Sequence, residues 1–132
     1  MIKNILVLIL FSLFISLSCS SKTELPTGSD SKQFDSAIWK DESSTKLDKN
    51  LISEREKMLK DLVENVLPGK TKIEIQNLLG NSLETAYFSS INKDLIYYMG
   101  PERDNYITID SEWLLIWLDE SDKFKKYKLM ND

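Results

Sequence analysis

No histidine occurs anywhere in the 132 residues, and cysteine occurs once. The first absence removes the most frequent general base and the commonest metal ligand. The second leaves no partner for a disulfide, so the fold must be held by its core alone. The four glycines are scattered and form no phosphate-cradling loop. Acidic pairs such as Asp104 with Asp110, or Asp119 with Asp122, read as solvated turn residues in a chain with 21 acids. The run Asp119-Glu120-Ser121-Asp122 lacks the glycine and the terminal bidentate glutamate of a calcium loop. Basic charge is also short: 17 Lys and Arg stand against those acids, for a net −4. That balance argues against nucleic acid and against electrostatic docking on an anionic membrane. The expectation is a non-enzyme with no catalytic residues, no cofactor, no metal and no small-molecule substrate.

What the chain does contain begins at Cys19. It follows a short n-region with one cation, Lys3, and an apolar run from Ile5 to Leu17. Ser18 supplies a small residue before the cysteine. This order resembles a bacterial lipoprotein signal peptide with Cys19 as the lipidation site. Ser16 stands where leucine is commonest in such leaders. Ser16 and Ser18 also satisfy the small-x-small rule of an ordinary secretory signal. The apolar run is too short to span a bilayer core of ~30 Å, which takes ~20 apolar residues. The expected organisation is a signal peptide at 1–18, a lipidated flexible tether at 19–42 and a domain at 43–132. Several acyl chains on one cysteine, palmitate among them, make a durable anchor, because a single chain binds only reversibly.

Residues 20 to 33 are polar and broken by Pro26 and Gly28, as a tether should be. Phe34 to Trp39 forms an apolar island that either docks back on the domain or meets a partner. Leu47, Leu51, Met58, Leu59, Leu62, Val63 and Val66 recur at helical spacing, so a first helix is expected over 43–66, capped by Ser43 or Ser44. Pro68-Gly69 ends it. Thr71-Lys72-Ile73-Glu74 is a capping box opening a second helix, and Gly80 stands where a left-handed cap is needed. The period then drops to two. Strands are expected over 84–90, 94–99, 112–118 and 124–129, with Gly100-Pro101 stopping the second of them. Trp113 to Leu118 is apolar on both faces, which marks a central strand. The lysines after Phe124 suit a sheet edge. Two helices followed by an antiparallel meander make an α+β fold, with a sheet of three to four strands.

The stretch from Leu67 to Gly80, with its Gly, capping Thr, acid, aliphatic pair and Leu-Leu-Gly, resembles the second-helix signature of the SmpA/OmlA (BamE-like) lipoproteins. Tyr97-Tyr98-Met99-Gly100 and Leu114 to Asp119 are similar to that family's sheet. The resemblance covers roughly residues 47 to 130. Asn81-Ser82 stands where many members have a proline. The resemblance implies an ααβββ fold and an accessory part in outer-membrane protein assembly or envelope integrity. Ser20 is not the aspartate that retains many lipoproteins in the inner membrane, so the expected address is the outer membrane. The same helix-on-sheet shape also occurs in proteins that inhibit an enzyme by surface complementarity, and an inhibitor-like role is the alternative.

The expected partner is a protein of the cell envelope. The loop from 100 to 111 is longer than a hairpin needs, and it holds Arg103 and Tyr106 among acids. Arginine and tyrosine supply disproportionate energy at interfaces. Both are candidate partner contacts, beside a plainer reading in which Tyr106 packs on the sheet edge. The lone cysteine gives the first test. Mass spectrometry of the mature N-terminus should find Cys19 acylated, and Cys19→Ala should release the protein from the membrane. An unmodified Cys19 at that terminus would rule out the anchor.

Overall fold

The computed structural model describes residues 30–101 and 110–132. Its first helix, α1 (Ser36–Lys40), is short and depends on its cap. The Asp35 carboxylate accepts hydrogen bonds from the backbone N–H groups of Ala37 (2.8 Å) and Ile38 (3.0 Å). A 3₁₀ turn, Glu42–Thr45, follows, capped in the same way by Asp41. Trp39 is fully buried in the main core, with Phe34 packed beside it. The apolar island at 34–39 therefore docks on the domain, and the packed unit reaches N-terminal of residue 43. Lys32 continues the attachment: its N–H donates to the Lys57 carbonyl at 2.9 Å.

The long first helix expected over 43–66 begins only at α2 (Glu54–Asp61). Residues 47–53 form a tight loop instead, closed by a bridge between Leu47 and Ser53. Asp48 explains the difference. Its carboxylate accepts from the N–H groups of Asn50 (2.7 Å) and Ile52 (3.1 Å), an arrangement that competes with helix formation. Leu51 takes φ 59° and is 53% exposed, so its helical spacing from Leu47 is coincidental. Ser53, rather than Ser43 or Ser44, caps α2 by accepting from the Glu56 N–H at 3.2 Å. Lys57 then bridges Asp48 and Glu54, each at 2.8 Å, and its hydrogen bond holds the Asp48 carboxyl down at about 2. A π-helical turn, Leu62–Val66, extends α2 to the Pro68-Gly69 break.

Helix α3 (Lys72–Leu79) follows the sequence closely, with both hydrogen bonds of the Thr71–Glu74 capping box in place. Gly80 ends it at φ 88°. Its ψ of −178° puts it outside the left-handed helical region, in a zone open essentially to glycine. The strand expected over 84–90 does not form. That segment runs through turns, with Phe88 at φ 58° and the Ile91 N–H donating to the Phe88 carbonyl at 2.9 Å.

Three strands make the sheet: β1 (Leu95–Pro101), β2 (Ser111–Leu118) and β3 (Phe124–Asn131). They pair antiparallel in the order β1-β2-β3, so β2 is central, as its two-faced apolar run requires. Gly100-Pro101 lies within β1, after a shift of register between Tyr98 and Gly100, and does not stop the strand. The described residues thus form an α+β fold with a three-stranded antiparallel sheet. Leu95, Tyr97, Met99, Leu114 and Ile116 face the helices and meet Trp39, Met58, Leu59, Leu62, Leu67, Ile75 and Leu79. Each such side chain contributes roughly 1.5–3 kcal/mol by its burial. Burial also pushes the Tyr97 hydroxyl up to about 12, and that hydroxyl donates to the Gly80 carbonyl at 2.9 Å.

One side chain ties these layers together. Arg55 Nε donates to the Trp39 carbonyl (3.0 Å) and to Ser44 Oγ (2.9 Å). Its Nη1 donates to the Tyr98 carbonyl at 2.6 Å. The guanidinium carbon lies 5.0 Å from the centroid of the Trp39 ring. Lysine cannot reproduce that fork or the stacking. Arg55→Lys should lower the unfolding free energy by roughly 1–3 kcal/mol, because part-buried carbonyls lose their donors. Urea denaturation is the measurement, and a midpoint unchanged from wild type would show the contacts to be dispensable.

Two glycines separate strain from space. A Cβ at Gly80 meets nothing within 4 Å, whereas one at Gly100 would sit 2.8 Å from the Thr45 carbonyl oxygen. Both take positive φ, 88° and 139°. Gly80→Ala should therefore cost about 1–3 kcal/mol from backbone strain alone. Gly100→Ala should cost clearly more. Equal losses in thermal melts would show that the close approach at Thr45 relaxes freely.

Candidate protein-binding face

The alternation of β2 sends Trp113, Leu115 and Trp117 to the face of the sheet away from the helices. Register extends that face across all three strands. Leu115 pairs with Ile96 on one side and Lys128 on the other; Trp113 pairs with Tyr98 and Met130; Trp117 pairs with Lys126. Ile96, Trp113 and Leu115 form a second buried cluster, with Phe88, Ile91, Tyr98, Trp117 and Met130 packed against it.

The segment 81–94 covers one end of this face. It fails as a strand because its apolar side chains serve as a cover. Phe88 and Ile91 pack onto the sheet, and the Trp117 indole N–H donates to the Asn92 carbonyl. Ser82 and Leu83 anchor the segment on β1. Ser82 Oγ accepts from the Ile96 N–H at 2.8 Å, and the Leu83 N–H donates to the Ile96 carbonyl at 3.0 Å. Asp94 closes the other end by accepting from the Leu118 N–H at 2.8 Å.

The cover is incomplete. Tyr87 is 55% exposed, its ring centroid 6.3 Å from that of Trp113. Tyr98 also meets Trp113, its ring tilted at 58° with centroids 5.2 Å apart. The Trp113 indole N–H donates to Asp132 Oδ2 at 3.2 Å, which fixes the ring. Lys126 Nζ sits 5.1 Å from the centroid of Trp117. The result is a row of rigid aromatic rings, partly open to solvent and edged by cations. Such surfaces bind by burying ring area at small entropic cost, with polar tips for direction.

Among the described residues the charged side chains at this face are engaged with its rings, Asp132 with Trp113 and Lys126 with Trp117. A groove of about 390 Å³ lies next to it, lined by Lys72, Gln76, Ser82, Glu84, Lys93 and Asp94 among others. Its named charges balance, two against two. Ser82 Oγ is engaged with the Ile96 backbone, donating to its carbonyl as well as accepting from its N–H. Among the described residues no group of His, Cys, Asp and Glu side chains could hold a metal ion, and no helix is long and apolar enough to cross a membrane.

Of the residues singled out from sequence, Cys19, Arg103 and Tyr106 all lie outside the described residues. The face built by Tyr87, Tyr98, Trp113 and Trp117 was not anticipated. A signal for it existed. Trp113 and Trp117 are four apart on a strand, hence on one face, and that face is opposite the one carrying Leu114 and Ile116. Compared with protein-family models, with curated proteins and with solved structures, the chain matches none.

Proposed function

We propose that this protein is a membrane-anchored lipoprotein of the outer membrane that acts as a small, non-catalytic protein-binding module. Its anchor is the lipid on Cys19, and its partner is a protein of the cell envelope. The observation that carries the binding role is the half-covered aromatic face. Tyr87 stands exposed over Trp113, on a rigid sheet held from behind by the main core. A catalytic role has no comparable support in the described residues. The order α2, α3, β1, β2, β3 is the one that the SmpA/OmlA (BamE-like) resemblance implies. It supports reading the fold as ααβββ with α1 added in front. By that reading the module assists outer-membrane protein assembly or envelope integrity.

Crosslinking on native cell envelopes, followed by purification of the full chain, tests the proposal. Wild type should recover an envelope protein. Tyr87→Ala should reduce recovery per folded molecule by about tenfold, the loss of one interface anchor of ~1.4 kcal/mol, while the melting temperature hardly moves. The double variant Arg103→Ala with Tyr106→Ala, tested in parallel, reports whether the loop at 100–111 shares the contact. Recovery of a soluble enzyme in place of envelope proteins would favour the inhibitor-like role. Unchanged recovery with Tyr87→Ala would remove the aromatic face from the interface.

A further inference from the structure

The two edges of the sheet are treated differently. The β1 edge is closed. Ser82 and Leu83 occupy the N–H and carbonyl of Ile96, Arg55 holds the carbonyl of Tyr98, and Ser53 Oγ donates to the carbonyl of Met99 at 2.8 Å. Among the described residues the β3 edge is closed at its start. The Phe124 N–H donates to the Lys70 carbonyl at 2.8 Å, beside a bridge between Thr71 and Lys123. After a register shift between Phe124 and Lys126, the backbone from 126 to 130 pairs with β2 alone among the described residues. An open edge of that length is a template for another strand.

Charge selects what can add there. Lys123, Lys125, Lys126 and Lys128 are four of the 17 basic residues, packed into six positions of a chain whose net charge is −4. None of the four makes an ion pair among the described residues; Lys126 has only the Trp117 ring. A second copy of β3 would bring lysines against lysines, so the edge repels itself. An acidic strand would be attracted. Register refines the requirement. Lys126 and Lys128 are two apart and share the Trp117 face. On the opposite face Tyr127 and Leu129 pack toward the main core; burial raises the Tyr127 hydroxyl's pKa, and nearby Glu64 adds to that. Carboxylates are therefore welcome at every second position of an incoming strand, with uncharged side chains between them.

We infer that β3 adds an extended partner segment with acidic residues at alternate positions, its backbone paired to 126–130 and its carboxylates over Lys126 and Lys128. This rests on the protein-binding reading and specifies what the partner presents.

The test uses the full chain in detergent and two blocked peptides, acetyl-(Thr-Glu)₄-amide and acetyl-(Thr-Lys)₄-amide. The acidic peptide should bind, perturb the amide resonances of 126–130, and weaken steeply with added salt. Binding should fall by about tenfold or more in Lys126→Glu with Lys128→Glu, and that variant should gain affinity for the basic peptide. Lys126→Gln with Lys128→Gln should lie between, which controls for folding. Methylating alternate backbone nitrogens of the acidic peptide should abolish binding in one of the two possible phases. Equal binding by both methylated forms would mean plain polyanion attraction and would overturn strand addition. Absence of any binding by the acidic peptide would overturn it too. The envelope crosslinking separates the two readings. If wild type recovers a partner and Lys126→Glu with Lys128→Glu recovers as much, strand addition fails while the module stands. If wild type recovers none, the module fails, and the peptide result still decides what the β3 edge can pair.

Discussion

Everything else in the fold leans on one half-buried cation. Arg55 reaches from α2 to the Trp39 carbonyl in the last turn of α1, to the buried Ser44 hydroxyl and to the edge of β1, with its guanidinium over the Trp39 ring. Its partners are neutral oxygens, and burial lowers its pKa from the ordinary value. A guanidinium suits that position because it is weakly hydrated and its donors are spread in a fixed plane. Through it the N-terminal segment, the first long helix and the sheet share one set of hydrogen bonds. Without a disulfide, this polar joint fixes how the layers are aligned, while the apolar core supplies the drive to bury them.

The parts that were legible in the sequence are those whose causes are local. The capping box at Thr71–Glu74, the break at Pro68-Gly69, the positive φ of Gly80 and the two-faced β2 each depend on a few adjacent residues. The parts that were misread depend on competition or on distance. Leu47 and Leu51 keep helical spacing, but the Asp48 carboxylate binds two nearby N–H groups and holds the chain in a loop. Residues 84–90 have strand-like composition, yet β1 already has Ser82 and Leu83 on that edge, and Phe88 and Ile91 gain more by lying on the sheet. The aromatic face was partly visible as Trp113 and Trp117 at even spacing. Tyr87 could not be placed there, because its position follows from how the covering segment is anchored.

The sheet divides the molecule's work. One face is sealed by helices and carries nearly all the large buried side chains. The other is only partly covered, by a single irregular segment, and keeps aromatic rings near solvent. A binding surface on the second face is held rigidly from behind without sharing side chains with the main core. Substitutions there are therefore expected to be separable from stability, which is the condition under which a small domain can vary its recognition surface and keep its fold.

The same division gives the molecule built-in optical reporters. Its three tryptophans sit in two environments. Trp39 is sealed in the main core beneath a guanidinium, while Trp113 and Trp117 lie on the opposite side of the sheet. Emission from Trp39 follows the opening of the core. Emission from the other two follows whatever touches their face. Replacing Trp39 by phenylalanine, or the other pair by phenylalanine, would split one spectrum into a folding signal and an occupancy signal within a single chain.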